Sequence, residues 1–342
     1  MTKITWLRKN LFNSWYNSLF TILSLIFLFW VTKGILTWAI TQAQWQVIQV
    51  NLHLFLVGRF PKSLYWRVWI ILAIVTTLSL ITGSVFTSFL IPKQLSKLIT
   101  PWLSPLWLLS FPIIWWLIGG GLGLESVSTN LWNGLLLTLL IAAVSILLSF
   151  PIGVLLALGR TSNLPIVRWF SILYIEIIRG VPLIGILFLA QVMLPLFLPT
   201  DLRLDKLLRA IAGLVIFSAA YMAENVRGGL QSIPRGQIEA AKALGFNTPL
   251  VVILIILPQA LRAVIPAIVG QFIGLFKDTS LLSLVGLVEL TGISRSILAQ
   301  PQFLGRYAEV YIFLGCIYWI FCYSMSFASR KLEKQLSNNP SS

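Results

Sequence analysis

Eight apolar stretches dominate the chain, at residues 16–40, 67–91, 102–122, 131–158, 166–198, 207–227, 262–290 and 308–328. A helix needs about 20 apolar residues to cross the hydrocarbon core of a bilayer, and each stretch reaches that length. A chain of 342 residues that is 58% hydrophobic and only 10% charged carries more apolar surface than a soluble core of its size can hide. The predicted fold class is all-α integral membrane, with about eight transmembrane helices. Several stretches are long enough to tilt or break.

Charge placement orients these spans. The formal net charge of +15 arises from basic residues lying between apolar runs, not clustered into a groove-lining patch. Membrane lipid is therefore a predicted partner and nucleic acid is not. Lys3, Arg8 and Lys9 at one end match Arg330, Lys331 and Lys334 at the other, and an even number of spans then places both termini in the cytoplasm. Arg160, Arg168 and the polar stretch from Arg227 to Lys242 fall on the same side. The loop 41–66, with Arg59 and Lys62, goes outside against that rule, while the next inner loop has only Lys93 and Lys97; an interfacial helix would accommodate it. The first run follows a basic start but is long and lacks a small-residue cleavage pattern, so it reads as a retained span.

Little catalytic chemistry is available. Cys316 and Cys322 lie inside the last apolar stretch as packing residues, and the single histidine, His53, reads as a loop residue. No metal site, disulfide framework or histidine triad is expected, and no catalytic residue. Gly119, Gly120, Gly121 and Gly123 mark the one internal boundary. It separates an N-terminal three-span extension, 1–125 with the extracytoplasmic loop 41–66, from a five-span unit, 126–335; a polar tail, 336–342, follows.

The loop 228–250 carries the most specific motif. Ile238 to Leu244 can form two helical turns in which Ala240, Ala241 and Ala243 permit close approach of another protein, with Gly245 ending the helix. Glu239, near the predicted helix start, suits the macrodipole or a basic partner residue. A solvated helical connector is the plainer alternative. The order Glu239-Ala240-Ala241, Gly245, Ile255 and Leu257-Pro258 matches in type and spacing the EAA motif, so the loop resembles the cytoplasmic coupling loop of permease subunits of ABC importers. In that family the short helix lies in a groove of the ATPase. The chain has no G-x-x-x-x-G-K-[ST] phosphate loop, so ATP belongs to a partner subunit and no cofactor to this chain.

Across residues 126–335 further motifs occur in family order: Ser149-Phe150-Pro151-Ile152-Gly153, Arg179-Gly180-Val181-Pro182-Leu183, Ala220-Tyr221 to Glu224, Arg227-Gly228-Gly229, and Lys277-Asp278-Thr279-Ser280-Leu281. Together they resemble the polar amino-acid uptake family, with Val181 standing where that family has threonine. Trp45 to Val57, Gly58-Arg59-Phe60-Pro61 and Trp66-Arg67-Val68-Trp69 are similar to the extension of the general L-amino-acid permeases. The resemblance implies an ABC type I importer (MetI-like) permease core of five helices plus a three-helix extension. It implies uptake of polar, neutral and acidic L-amino acids by alternating access, with hydrolysis on separate ABC ATPase subunits. A second, related permease forming a heterodimer and an external amino-acid-binding protein are the other implied partners, and the plasma (bacterial inner) membrane is the implied location. The competing class is an ion-gradient-driven secondary transporter, which would need a coupling-ion site and no coupling loop.

Lys277 and Asp278 lie mid-way along an apolar run, where a charge costs roughly 2.5–3.5 kcal/mol on insertion scales. Neighbours on a helix point about 100° apart, so the two do not simply pair, and a helix break is expected there. Thr279 and Ser280 are suitable N-cap residues for a second half-helix whose free N–H groups would meet an amino acid's carboxylate. Asp278 would take its ammonium and Gln271, on the same face, its side chain. A structural role holding helices together is the competing reading. Glu176 and Arg179, three apart, are expected to neutralise each other beside a kink at Pro182, as a gate or as a structural pair. Glu224 and Arg227 repeat the spacing and are assigned to anchoring the coupling loop. Trp102, Trp107, Trp115, Trp116 and Trp132 read as interfacial anchors, and Pro258 and Pro266 as bends after the coupling helix.

Overall fold

A computed structural model describes residues 3–87, 93–199 and 204–337; residues 338–342 of the expected polar tail lie outside them. The described residues hold no strand, only two isolated bridges, Gly121 with Leu124 and Gly134 with Glu289. The N-terminal part comprises α1 (Lys3–Leu11), α2 (Trp15–Thr41), α3 (Gln46–Val57), α4 (Tyr65–Thr87) and α5 (Lys93–Gly119). The remainder comprises α6 (Gly134–Arg160), α7 (Pro165–Gly180), α8 (Leu183–Phe188), α9 (Leu194–Phe197), α10 (Lys206–Ser232), α11 (Arg235–Ala243), α12 (Thr248–Leu250), α13 (Leu257–Ala263), α14 (Ile265–Asp278), α15 (Leu290–Leu298) and α16 (Tyr307–Ser337). π-turns at Leu189–Met193 and Val251–Ile256 join α8 to α9 and α12 to α13, and a 3₁₀ segment, Thr279–Val285, prolongs α14.

Among the described residues seven helical runs are long and apolar enough to cross a membrane, and α7 with α8–α9 is an eighth where that bent pair counts as one span. The eight apolar stretches thus reappear as helices. The fifth differs from expectation: instead of a kink at Pro182, the two halves meet at 103°. Proline has no N–H to continue the helix and pushes the preceding residue out of the α region. Val181 (φ −108°, ψ 135°) and Pro182 (ψ 141°) are accordingly extended, and the carbonyl of Pro182 accepts from Gly185 N–H to begin α8.

The centre of the fold is the α6–α10 pair. A Cβ added at Gly153 of α6 would meet Met222 Cβ at 2.5 Å and the Ala219 carbonyl at 3.1 Å, so these helices approach at a point where only glycine fits. This accounts for glycine at the end of the Ser149–Gly153 motif. The N-terminal part is not a separate body. Val47, Ile48 and Phe55 of α3 share one buried cluster with Leu290, Ile293 and Ile297 of α15 and Val310 of α16. Phe60 and Leu64 enter a second cluster with Trp132, Ile141 and Leu214. Gly58, at φ +61°, lies against Asn133 so closely that any Cβ there would collide with it. Two expectations change here. His53 lies on α3, not in a loop, and Trp132 is buried edge-on to Trp115, so it is a core residue and not an interfacial anchor. Helix α2 is the opposite case, since it buries no residue at all.

Glu289 is the most deeply buried carboxylate described, with no exposed surface, and it caps α15 by accepting from the N–H groups of Thr291 (2.8 Å) and Gly292 (3.0 Å). Tyr318 Oη lies 3.4 Å from its other face. Removing this carboxylate leaves the two N–H groups and the Tyr318 hydroxyl without their acceptor. We expect Glu289→Ala to melt at lower temperature than the parent in detergent, by the roughly 0.5–2 kcal/mol that a lost cap costs; an unchanged melting temperature contradicts the capping role.

Candidate functional site

The motif loop folds as two short helices pinned at both ends. At its start, Gly229 of α10 leaves room for the Ala260 carbonyl of α13, which an added Cβ would meet at 2.5 Å. Gly229 of the Arg227-Gly228-Gly229 motif thus brings together α10 and α13, the helices on either side of the loop. Helix α11 starts at Arg235 behind an extended Pro234, one turn earlier than the expected Ile238. Glu239 is therefore in its second turn and does not sit at the positive end of the macrodipole, because Pro234 sets the start. The end is as expected: Gly245 adopts φ +83° and donates to the Lys242 carbonyl (2.9 Å), while Phe246 N–H donates to Ala241 (3.2 Å). This pair of bonds is the Schellman arrangement.

The alanines divide their work. Ala241 is buried against the loop's own π-turn, whereas Glu239, Ala240, Lys242 and Ala243 are exposed. Gly236, Ala240, Ala243 and Leu244 recur at helical spacing on the open side, and Leu244 keeps 78% of its surface exposed. An open face of glycine and alanine with one protruding leucine and one carboxylate is low in relief and suits a groove in a second protein. Pro258 follows the π-turn within the continuous helical run 248–263, and Pro266 stands in the first turn of α14. The bend between them falls at Val264.

One helical stage away, about 12 Å along α10 from its end, four charged groups meet at Glu224. Arg227 donates to both of its oxygens at 2.7–3.1 Å, Arg160 of α6 reaches it at 2.8 Å, and Arg179 of α7 lies 3.6 Å away. The predicted pairing of Glu176 with Arg179 is not formed. Glu176 pairs instead with Arg160 at 2.9 Å, and Arg179 turns to Glu224 with its guanidinium over the Tyr221 ring. Partners from α6 and α10 are better placed than the neighbour on α7 itself. Sequence reasoning did not find Arg160, which lies 64 positions from Glu224.

The central segment of α14 differs more. Gln271 approaches Ser218 of α10 at 3.4 Å, Lys277 is exposed and Asp278 half-buried, and neither of the last two has an ion-pair partner within 4.0 Å among the described residues. No new half-helix starts at Thr279 or Ser280. The chain passes from α into 3₁₀ without interruption, Thr279 N–H bonds back to Leu275, and its buried hydroxyl donates to the Phe276 carbonyl at 2.7 Å. The N–H expected to receive a carboxylate is thus occupied. The 3₁₀ run stops at Gly286, which adopts φ +87°.

The described residues thus form an all-helical membrane bundle whose polar loop presents a small-residue helix between α10 and α13. Residues 149–338 match the family described as binding-protein-dependent transport system inner membrane component, and the chain belongs to that family. It is 43% identical over 98% of its length to "Inner membrane amino-acid ABC transporter permease protein YhdY" of Escherichia coli, covering 93% of that relative. It is 34% identical to "Glutamate/glutamine/aspartate/asparagine transport system permease protein BztC" of Rhodobacter capsulatus, covering 98% of this chain and 94% of the relative. A solved structure, "Crystal structure of an amino acid ABC transporter with histidines", aligns with a TM-score of 0.53 at 30% identity over 59% of this chain and 92% of that one.

Proposed function

We propose that this permease imports L-amino acids of broad type, that two ABC ATPase subunits drive it through α11, and that a second, related permease completes the path. The observation that carries this reading is the exposed face of Gly236, Ala240, Ala243 and Leu244 beside Glu239, held out on a loop pinned by Gly229. ATP is bound by the partner, since the chain has no phosphate loop. An external binding protein delivers the amino acid, and both termini are cytoplasmic by the basic-residue rule. The relatives named for amino acids, spanning nearly the whole chain, support the cargo class.

Within the path, Gln271 and Asp278 are the residues proposed to meet the amino acid, with Lys277 balancing the charge of the segment. Thr279 and Ser280 serve by holding the 3₁₀ turn. The test is a complex purified with its ATPase and binding protein and reconstituted into vesicles. ATP hydrolysis should rise when amino acids are added with the binding protein, and labelled amino acid should accumulate only with ATP inside reach of the ATPase. Accumulation driven by an ion gradient without ATP would overturn the proposal; parent-rate uptake by both Gln271→Ala and Asp278→Asn would remove the path assignment alone.

A further inference from the structure

Helix α2 crosses the membrane bearing one cation that no described residue answers. Lys33 is exposed and has no hydrogen-bond or ion-pair partner among the described residues. Phe29, Thr32, Lys33, Leu36, Thr37, Ile40 and Thr41 share one face of the helix, and Lys33, Thr37 and Thr41 form a polar stripe along it at intervals of four. Thr41 and Thr37 are already linked, the Thr41 hydroxyl donating to the Thr37 carbonyl at 2.7 Å. Elsewhere the polar side chains of α2, Asn17, Ser18, Thr21 and Ser24, lie toward its N-terminal end, and no residue of the helix is buried.

Lys33 is poorly placed to reach the surface. It precedes Thr41 by eight residues, about 12 Å, and follows Trp15 by eighteen, about 27 Å, at the helical rise. Side chains on a helix lean toward its N-terminus. The ammonium therefore leans toward the distant end and away from the near one, opposite to the direction in which a lysine would snorkel. A charge left at such depth is expensive, and charges in spans usually pair. A second copy of α2 does not meet the need: the helix has no acidic residue, and a twofold contact through the stripe would bring lysine to lysine.

We infer that this face of α2 docks a transmembrane helix of a different subunit, one that presents an aspartate or glutamate at the depth of Lys33. Threonines at the flanking positions let the two backbones approach and supply hydroxyls across the contact. The surface is independent of the coupling loop, so the inference stands apart from the ATPase assignment.

The test uses the whole complex in native membranes. A photo-reactive residue placed at Thr37, and as control at Ile35 on the opposite side, is irradiated and the adduct mapped. The expected adduct at Thr37 joins a membrane span of another chain that carries Asp or Glu within one turn, with none from Ile35. Lys33→Met should lower recovery of that chain in the purified complex about tenfold, at unchanged membrane levels of this one. Lys33→Asp should do the same, and lysine at the partner's carboxylate should restore it. Both variants are expected to fold, because no residue of α2 is buried. Adducts at Thr37 to lipid alone or to a second copy, or undiminished recovery with Lys33→Met, overturn the inference.

Discussion

Replacing Glu239 with lysine is expected to reduce ATP-dependent amino-acid uptake at least a hundredfold while leaving the permease in the membrane and its other subunits assembled on the outer face. Glu239 is exposed on the second turn of α11, and its side chain has no hydrogen bond or ion pair among the described residues. Reversal of its charge therefore disturbs nothing in the fold and acts only on whatever protein faces it. Truncating one member of a charged pair across an interface typically costs 2–5 kcal/mol or more, and reversal adds repulsion. ATP hydrolysis by the complex, measured with and without binding protein, distinguishes lost docking from lost coupling: basal turnover that persists but no longer responds to amino acid marks the second. Wild-type uptake by the Glu239→Lys protein would remove α11 from the coupling pathway. Ala241→Leu provides the contrast, since that side chain points into the loop and should lower folded stability before it touches docking.

The second large effect is expected at Glu224. Arg160, Arg179 and Arg227 converge on this one carboxylate from three helices, and its side chain is only 15% exposed. Glu224→Leu leaves three guanidinium groups together with only Glu176 to offset them. Removing one partner of a buried pair costs about 3–5 kcal/mol, and the partial exposure of the arginines places this case toward the lower end. The variant should melt well below the parent in detergent and give little assembled complex. Glu224→Asp, which keeps the charge on a shorter arm, should recover part of the loss. A melting temperature equal to the parent's in Glu224→Leu would show that the arginines find solvent or other acceptors, and that the cluster is not what binds α6, α7 and α10.

How far these features were visible beforehand depends on the distance over which each is encoded. Spans are legible because hydrophobicity accumulates over about 20 residues, and α11 because its glycine, alanines and proline act locally. Its start was misplaced by one turn, as Pro234 dictates the first helical residue whereas the apolar pattern only becomes regular at Ile238. The turn at Val181–Pro182 is sharper than the kink its sequence implies, since a proline signals interruption but not the angle that packing then imposes. Glu176 and Arg179 satisfied a local rule, and tertiary partners at Arg160 and Glu224 overrode it. Thr279 and Ser280 had the composition of a cap, yet back-bonding to Phe276 and the 3₁₀ path to Gly286 claimed the same groups. Glu289 escaped notice altogether: glutamate is an unusual cap, and its burial depends on α3, α6 and α16 closing around it.

Helix α10 begins at a firm cap, where Asp205 accepts from Leu207 N–H at 2.7 Å and from the Thr129 hydroxyl at 2.7 Å, and runs for 27 residues without a proline to the threshold of α11. Its hydrogen bonds lie along its own axis, so it resists compression far better than the loops at either end. It therefore resembles a push-rod, with the arginine collar at Glu224 as its bearing. A small movement delivered to α11 on one side of the membrane need not be passed from contact to contact; it can arrive at Thr129 on the other side as the displacement of a single stiff part.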